Sequence, residues 1–159
     1  MRSLPFYLIV LLGLSGCSKQ APPPPPPPFQ TSIEMKQLMN WIIDPNADVV
    51  WGAVGTVVTA EGEEKTIPQT DEQWSVVRNS AATVIESGNL LMLNGRARNP
   101  DDWMQKVQEL MRTANEVLQA AEAKDADTLF TAGSDMYLAC SACHAAYIFA
   151  EGTPDDKAK

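Results

Sequence analysis

At 159 residues, with 45% hydrophobic and 20% charged side chains, the chain suits one globular domain and excludes disordered and collagen-like classes. Its net charge of −8 argues against nucleic acid as a partner, because a phosphate-binding surface needs clustered Lys and Arg. Three cysteines are too few, and odd in number, for a disulfide-stapled mini-protein. There is a single histidine, His144.

Residues 1–16 read as a secretory signal peptide. Arg2 gives a positive start, and the apolar run from Leu4 to Leu14 falls short of the ~20 residues that span a bilayer. Leu14-Ser15-Gly16-Cys17 sets small residues before a cysteine. That arrangement resembles the lipobox of bacterial lipoproteins, against the alternative of an ordinary signal peptide with a chance cysteine. The resemblance implies lipid chains on Cys17, each contributing about 0.8 kcal/mol per buried CH₂. Ser18 stands where a membrane-retention Asp is found in such proteins, so the outer membrane is favoured over the inner, with the chain facing the periplasm. Pro22 to Pro28 are consecutive prolines; they predict polyproline II at ~3.1 Å per residue, a semi-rigid spacer. Residues 17–30 are therefore a lipidated cysteine and linker, 31–150 the folded domain and 151–159 a tail.

The domain reads as four amphipathic helices. The first begins near Thr31, with Glu34 three residues on, and turns Met35, Leu38, Met39 and Ile42 inward. Asp44-Pro45 is expected to interrupt it and cap a short new piece containing Val49, Val50 and Trp51. A long connection, 52–69, carries Thr56 to Thr59 and Lys65 to Ile67 around Glu61-Gly62-Glu63, a candidate hairpin. The second helix opens at Thr70 with Gln73 in capping-box spacing. It turns Trp74, Val77, Ala81, Val84 and Leu91 inward and stops near Asn94-Gly95. The third runs from about Pro100 to Ala123, with Asn99 as cap and Asp101 and Asp102 at the positive end of its dipole. Its apolar stripe is Trp103, Val107, Leu110, Met111, Ala114, Val117, Leu118 and Ala121. The last starts near Asp125, presents Leu129, Gly133, Met136, Tyr137, Cys140, Cys143, His144, Tyr147 and Ile148 inward, and ends by Gly152 and Pro154. The expected fold class is all-α, an antiparallel four-helix bundle with one long connection between the first two helices.

Cys140-Ser141-Ala142-Cys143-His144 has the spacing of the c-type haem attachment signature. On a helix, positions i, i+3 and i+4 share a face, so both thiols and the imidazole can project to one edge of a porphyrin. The thiols would hold the vinyl groups as thioethers, with His144 as proximal iron ligand. A thioredoxin-like dithiol shares the cysteine spacing but needs a βαβ context. A structural zinc site needs four ligands, more than these two Cys and one His provide. A disulfide in an oxidising compartment remains a further alternative.

The attachment motif in the last of four helices, with Met35-Lys36 in the first, resembles the class II c-type cytochromes: the cytochromes c-prime and their methionine-ligated, low-spin relatives. The similarity covers roughly residues 31–150. It implies one covalent haem c per chain, its iron held by His144, and Met35 at the distal position. Thr31 stands where many members carry an Arg beside the haem propionates, leaving Arg78, Arg96, Arg98 and Arg112 to be weighed as replacements against solvated charges.

No second histidine exists, so the sixth iron position falls to a methionine, a lysine, a small ligand or nothing. Met35 is the candidate and Met39 the reserve; the alternative is that Met35 packs over an open iron. Thioether ligation raises the reduction potential and blocks ligand entry, which suits electron transfer. An open iron would suit a c-prime-like protein that binds nitric oxide or carbon monoxide. Met136 shares the helix of Cys140, so it is expected to pack beside the ring and not to reach its opposite face. Met92, Met104 and Met111 read as core, as do Trp51, Trp74, Trp103, Tyr137 and Tyr147, although these aromatics could also wall a haem. Independent catalysis is not expected, for there is no spare His and no nucleophile–base pair. The acidic balance favours a redox partner protein with a basic docking face. The resemblance implies pairing of copies as a homodimer through the first two helices.

Overall fold

The computed structural model describes residues 29–149. The expected signal peptide, Cys17, the proline run 22–28 and the C-terminal tail with Gly152 and Pro154 lie outside the described residues. The chain divides into two compact units, the second beginning at Ser32. Of the first, residues 29–31 are described and have no regular secondary structure.

The second unit is mostly helical, with one small two-stranded sheet: α1 (Met35–Leu38), a π-helical turn (Met39–Ile43), α2 (Asp44–Ala53), β1 (Gly55–Thr59), β2 (Gly62–Thr66), α3 (Asp71–Leu91), α4 (Pro100–Ala123) and α5 (Ala126–Tyr147).

The first helix departs from the sequence expectation at two points. Its N-cap is Glu34, not Thr31, and the Glu34 backbone N–H donates to Gln37 Oε1 at 3.1 Å. Nor does Asp44-Pro45 break it. Leu38, Ile43 and Asp44 all keep right-handed helical angles. The Asp44 N–H reaches back five residues to the Met39 carbonyl. One widened turn lets the helix absorb a proline that would otherwise clash with the preceding turn. Asn46 adds a bond of 2.7 Å from its side-chain amide to the Ile42 carbonyl.

The expected hairpin is present, with its turn at Ala60-Glu61. Thr59 pairs with Gly62 and Gly55 with Thr66, antiparallel, and Ile67 lies beyond the strand. Apart from Gly55 every strand residue is exposed.

The remaining helices begin where their caps predict. Thr70 Oγ1 accepts from the Gln73 N–H, and Gln73 Oε1 accepts from the Thr70 N–H, both at 3.2 Å. Asn99 is the N-cap of α4, though its side chain makes no capping bond; Pro100 fills the first turn. Asp125 caps α5, accepting from the Thr128 N–H at 3.1 Å and the Thr128 hydroxyl at 2.6 Å. Between α4 and α5, Lys124 takes φ +56°. Its N–H donates to Ala121 and the Asp125 N–H to Ala120, a Schellman closure with Lys at the position glycine usually fills.

α3 packs on α4, α4 on α5, and α2 on both α3 and α5, while the π turn lies against α3. The core joins Leu38, Ile43 and Val50 to the predicted stripes of α3 and α4 and to Leu129, Ala132 and Met136 of α5. Tyr137 and Ile148, expected inward, are 56% and 43% exposed. α5 carries apolar side chains around most of its circumference, so its sequence does not fix which face turns in.

Gly88 sits where α3 crosses α4, and a Cβ there would overlap the Met111 side chain. Gly88→Ala should therefore destabilise the fold by about 1–3 kcal/mol. In a Met111→Ala background the same change should be neutral, or stabilising by up to ~1 kcal/mol from helix propensity. A double-mutant cycle by urea unfolding reads both.

Candidate functional site

Cys140, Cys143 and His144 lie on the last two turns of α5, an unbroken helix up to Tyr147. All three are half-buried. The two thiols are free and are not joined to each other. Among the described residues the His144 imidazole has no hydrogen-bond or ion-pair partner; its carbonyl accepts from the N–H groups of Ile148 and Phe149 at 2.8 and 3.1 Å. Three reactive side chains thus share one helix face without being committed to one another.

Their surroundings raise both thiols above the ordinary cysteine value. Burial, then the neighbouring Cys143, then the charge of Asp44 on α2 push the Cys140 thiol up to about 11. Cys143 is also raised, chiefly by burial and further by Asp102, while Lys106 pulls the other way. Charges on two different helices, Asp44 of α2 and Asp102 of α4, thus act on the two thiols.

α4 closes one side of this end. The Tyr147 hydroxyl donates to Asp102 Oδ2 at 2.8 Å, and Asp102 pairs with Lys106 at 3.6 Å. The ring of Tyr147 stands edge-on to Trp103, with centroids 4.8 Å apart. The Trp103 indole N–H donates to the Leu91 carbonyl at 2.9 Å, tying the start of α4 to the end of α3. Arg96 continues the chain of contacts, donating to the carbonyls of Leu90 at 3.3 Å and Ile33 at 3.1 Å. The start of α1, with Met35 as its first residue, is by these links at the same end of the unit as the C-terminal turns of α5. Met35 and Met39 are partly buried against the core.

Other candidates fall out differently. Met136 is fully buried, and Met92, Met104 and Met111 pack on the core. Trp74 and Trp103 are buried. Arg112 pairs with Glu109 and Glu116, and the Arg78 guanidinium donates to Asn79 Oδ1. Sequence reasoning misses Trp41, which is 63% exposed in the π turn, and the Asp102–Tyr147 and Arg96–Ile33 links. A π turn is itself a common companion of functional sites, but nothing in the local pattern announces one.

Two cavities elsewhere accompany this end. One, of about 390 Å³, lies between α2 and α5 beside Trp51 and Tyr137. The other, about 430 Å³, lies under the hairpin between α2 and α3. Among the described residues no three His, Cys, Asp or Glu side chains converge as they would around a bare metal ion.

Burial, and then the bond to Asp102, push the Tyr147 phenol up to about 12. The proton is held more tightly in the folded chain than in the unfolded one, where a phenol titrates near ~10. This contribution to stability is complete below that value and is lost as pH rises through about 12. An alkaline absorbance titration should show one late tyrosine that Tyr147→Phe removes and Asp102→Asn moves earlier.

The chain matches no protein-family model, no curated protein and no solved structure.

Proposed function

We propose that the chain is a class II c-type cytochrome held to the periplasmic side of the cell envelope by lipid on Cys17. It would carry single electrons through one haem attached at Cys140 and Cys143. On this reading α1, the π turn and α2 act as one helix, and with α3, α4 and α5 form an antiparallel four-helix bundle. The two-residue turn at Lys124-Asp125 and the link at 92–99 favour antiparallel neighbours.

The observation that carries the reading is one face of α5: two free thiols and an imidazole at i, i+3 and i+4, the imidazole without a hydrogen-bond or ion-pair partner among the described residues. These residues fit a haem better than a bare ion. An ion would draw most of its ligands from side chains, and none are gathered for it among the described residues. A porphyrin brings four nitrogens and asks the chain for one or two axial atoms. Cys140 and Cys143 would hold the porphyrin edge as thioethers, and His144 would supply the proximal nitrogen. When bound, the haem supplies the one-electron couple. Met35, at the start of α1, is the proposed distal thioether; its placement at the same end as His144 supports it. Arg96 would serve here as a structural tie, since its guanidinium already donates to two backbone carbonyls. No described helix is long and apolar enough to cross a membrane; the proposed attachment is the lipid on Cys17.

Optical spectra of the oxidised and reduced protein, with and without carbon monoxide, test the distal ligand. The expected spectrum is low-spin, with a thioether-to-ferric band, insensitive to the gas. Met35→Ala should lose that band and gain gas binding. A wild-type protein that is high-spin and binds carbon monoxide at once would transfer the reading to a gas-binding, c-prime-like protein.

Replacing Cys140 and Cys143 with Ala should abolish covalent haem, and a haem-stained band surviving denaturation in that variant would sink the assignment. Cys17→Ser should release the protein from membranes into the soluble fraction; unchanged fractionation would remove the lipid anchor.

A further inference from the structure

α2 and α5 meet through Trp51, whose indole N–H donates to the Gly133 carbonyl at 3.0 Å and whose ring stands edge-on to Tyr137 at 5.5 Å. Beside this contact a groove of about 390 Å³ opens, lined by Trp51, Val54, Phe130, Gly133, Tyr137 and Leu138 among others. Phe130, Tyr137 and Leu138 are 57%, 56% and 62% exposed. Large apolar side chains grouped around an aromatic-walled groove are characteristic of a protein contact surface.

The two helices that line this groove carry charge of one sign. Neither α2 nor α5 contains a Lys or Arg; between them they carry Asp44, Asp48, Asp127 and Asp135. None of these four carboxylates is in an ion pair among the described residues. Asp127 lies one turn before Phe130, and Asp44 is near enough to Cys140 for its charge to raise that thiol.

We propose that the α2–α5 face is a docking surface for a basic protein, one that seats an apolar protrusion in the groove and surrounds it with Lys or Arg. A second copy fits poorly, because a two-fold pairing of this face would bring carboxylates against carboxylates with no cation on either helix. That the partner is a redox protein rests on the electron-carrier reading. Cys140 and His144 follow Tyr137 by three and seven residues, which is ~5 and ~10 Å along the helix axis, so a protein seated on Tyr137 would lie beside the attachment motif.

The test uses the full chain in detergent micelles and, as probe, a small basic class I cytochrome c whose haem edge is ringed by lysines. Sedimentation velocity at low and high salt reads the complex through protein mass, whether or not the chain carries haem. A complex is expected at low salt and should weaken as salt rises. Leu138→Glu should weaken it about tenfold or more. Asp48→Lys should weaken it and reduce its salt dependence, whereas Glu86→Lys, an equal charge change on the exposed face of α3, should leave it nearly unchanged. Equal losses from Asp48→Lys and Glu86→Lys would mean unspecific attraction to net charge and would overturn the proposal. So would no complex, a homodimer that Leu138→Glu dissolves, or neutral phosphatidylcholine vesicles outcompeting the probe at this face. A chain without covalent haem that still shows the expected variant pattern would overturn the electron-carrier reading alone and leave the docking surface standing.

Discussion

Trp103 is the joint on which this end of the unit depends. It is buried near the start of α4, and its indole hydrogen must find an acceptor there; the Leu91 carbonyl, at the end of α3, provides it. The residue before it, Asp102, accepts the Tyr147 hydroxyl from the last turn of α5, while the two rings meet edge to face. Two adjacent residues thus fix the ends of three helices. Arg96, in the connection between α3 and α4, adds the segment before α1 by holding the Ile33 carbonyl. Such contacts depend on geometry more than on buried area, because removing one partner leaves a polar group short of its bond, and that is more costly than the bond's net worth.

The same joint sets the environment of the α5 face. α4 covers one flank of the Cys140–His144 segment through Tyr147, and the contact of α2 with α5 runs through Trp51 at Gly133, earlier along the helix. Cys140, Cys143 and His144 are consequently half-buried and neither sealed in the core nor fully solvated. Partial burial raises both thiols.

How much of this is legible in the sequence depends on whether the signal is local. The starts of α3, α4 and α5 are readable because Thr70 with Gln73, Asn99 with Pro100, and Asp125 act within a few residues of themselves. The start of α1 is not, because Thr31 and Glu34 show a capping spacing that Glu34 and Gln37 also satisfy. Pro45 suggests a break because a proline normally costs the helix a bond; a π turn supplies the room, and one extra residue per turn leaves no visible change of period. α5 misleads in phase, placing Tyr137 and Ile148 inward, because its outer face is nearly as apolar as its inner one. At the site, Cys140, Cys143 and His144 are marked by their spacing alone. Asp102 and Arg96 are not marked at all, since their partners Tyr147 and Ile33 lie 45 and 63 residues away.

The outer face of α5 and the distribution of ion pairs are two sides of one arrangement. Lys106, Arg112 and Lys124 each have a carboxylate partner on or beside α4 or at the start of α3. Exposed pairs of this kind add little to stability, with a median of about 0–1 kcal/mol. They offset part of the negative charge of α3 and α4, whereas the carboxylates of α2 and α5 have no ion-pair partner among the described residues. What sets α2 and α5 apart is the lack of any Lys or Arg within them, beside the exposed Phe130, Tyr137 and Leu138; on the docking proposal this would favour a basic protein, and salt would weaken that attraction. Apolar exposure and uncompensated charge are each costly to a solitary domain, the first through hydration and the second through self-repulsion. Both occur on α5, the helix that carries Cys140, Cys143 and His144.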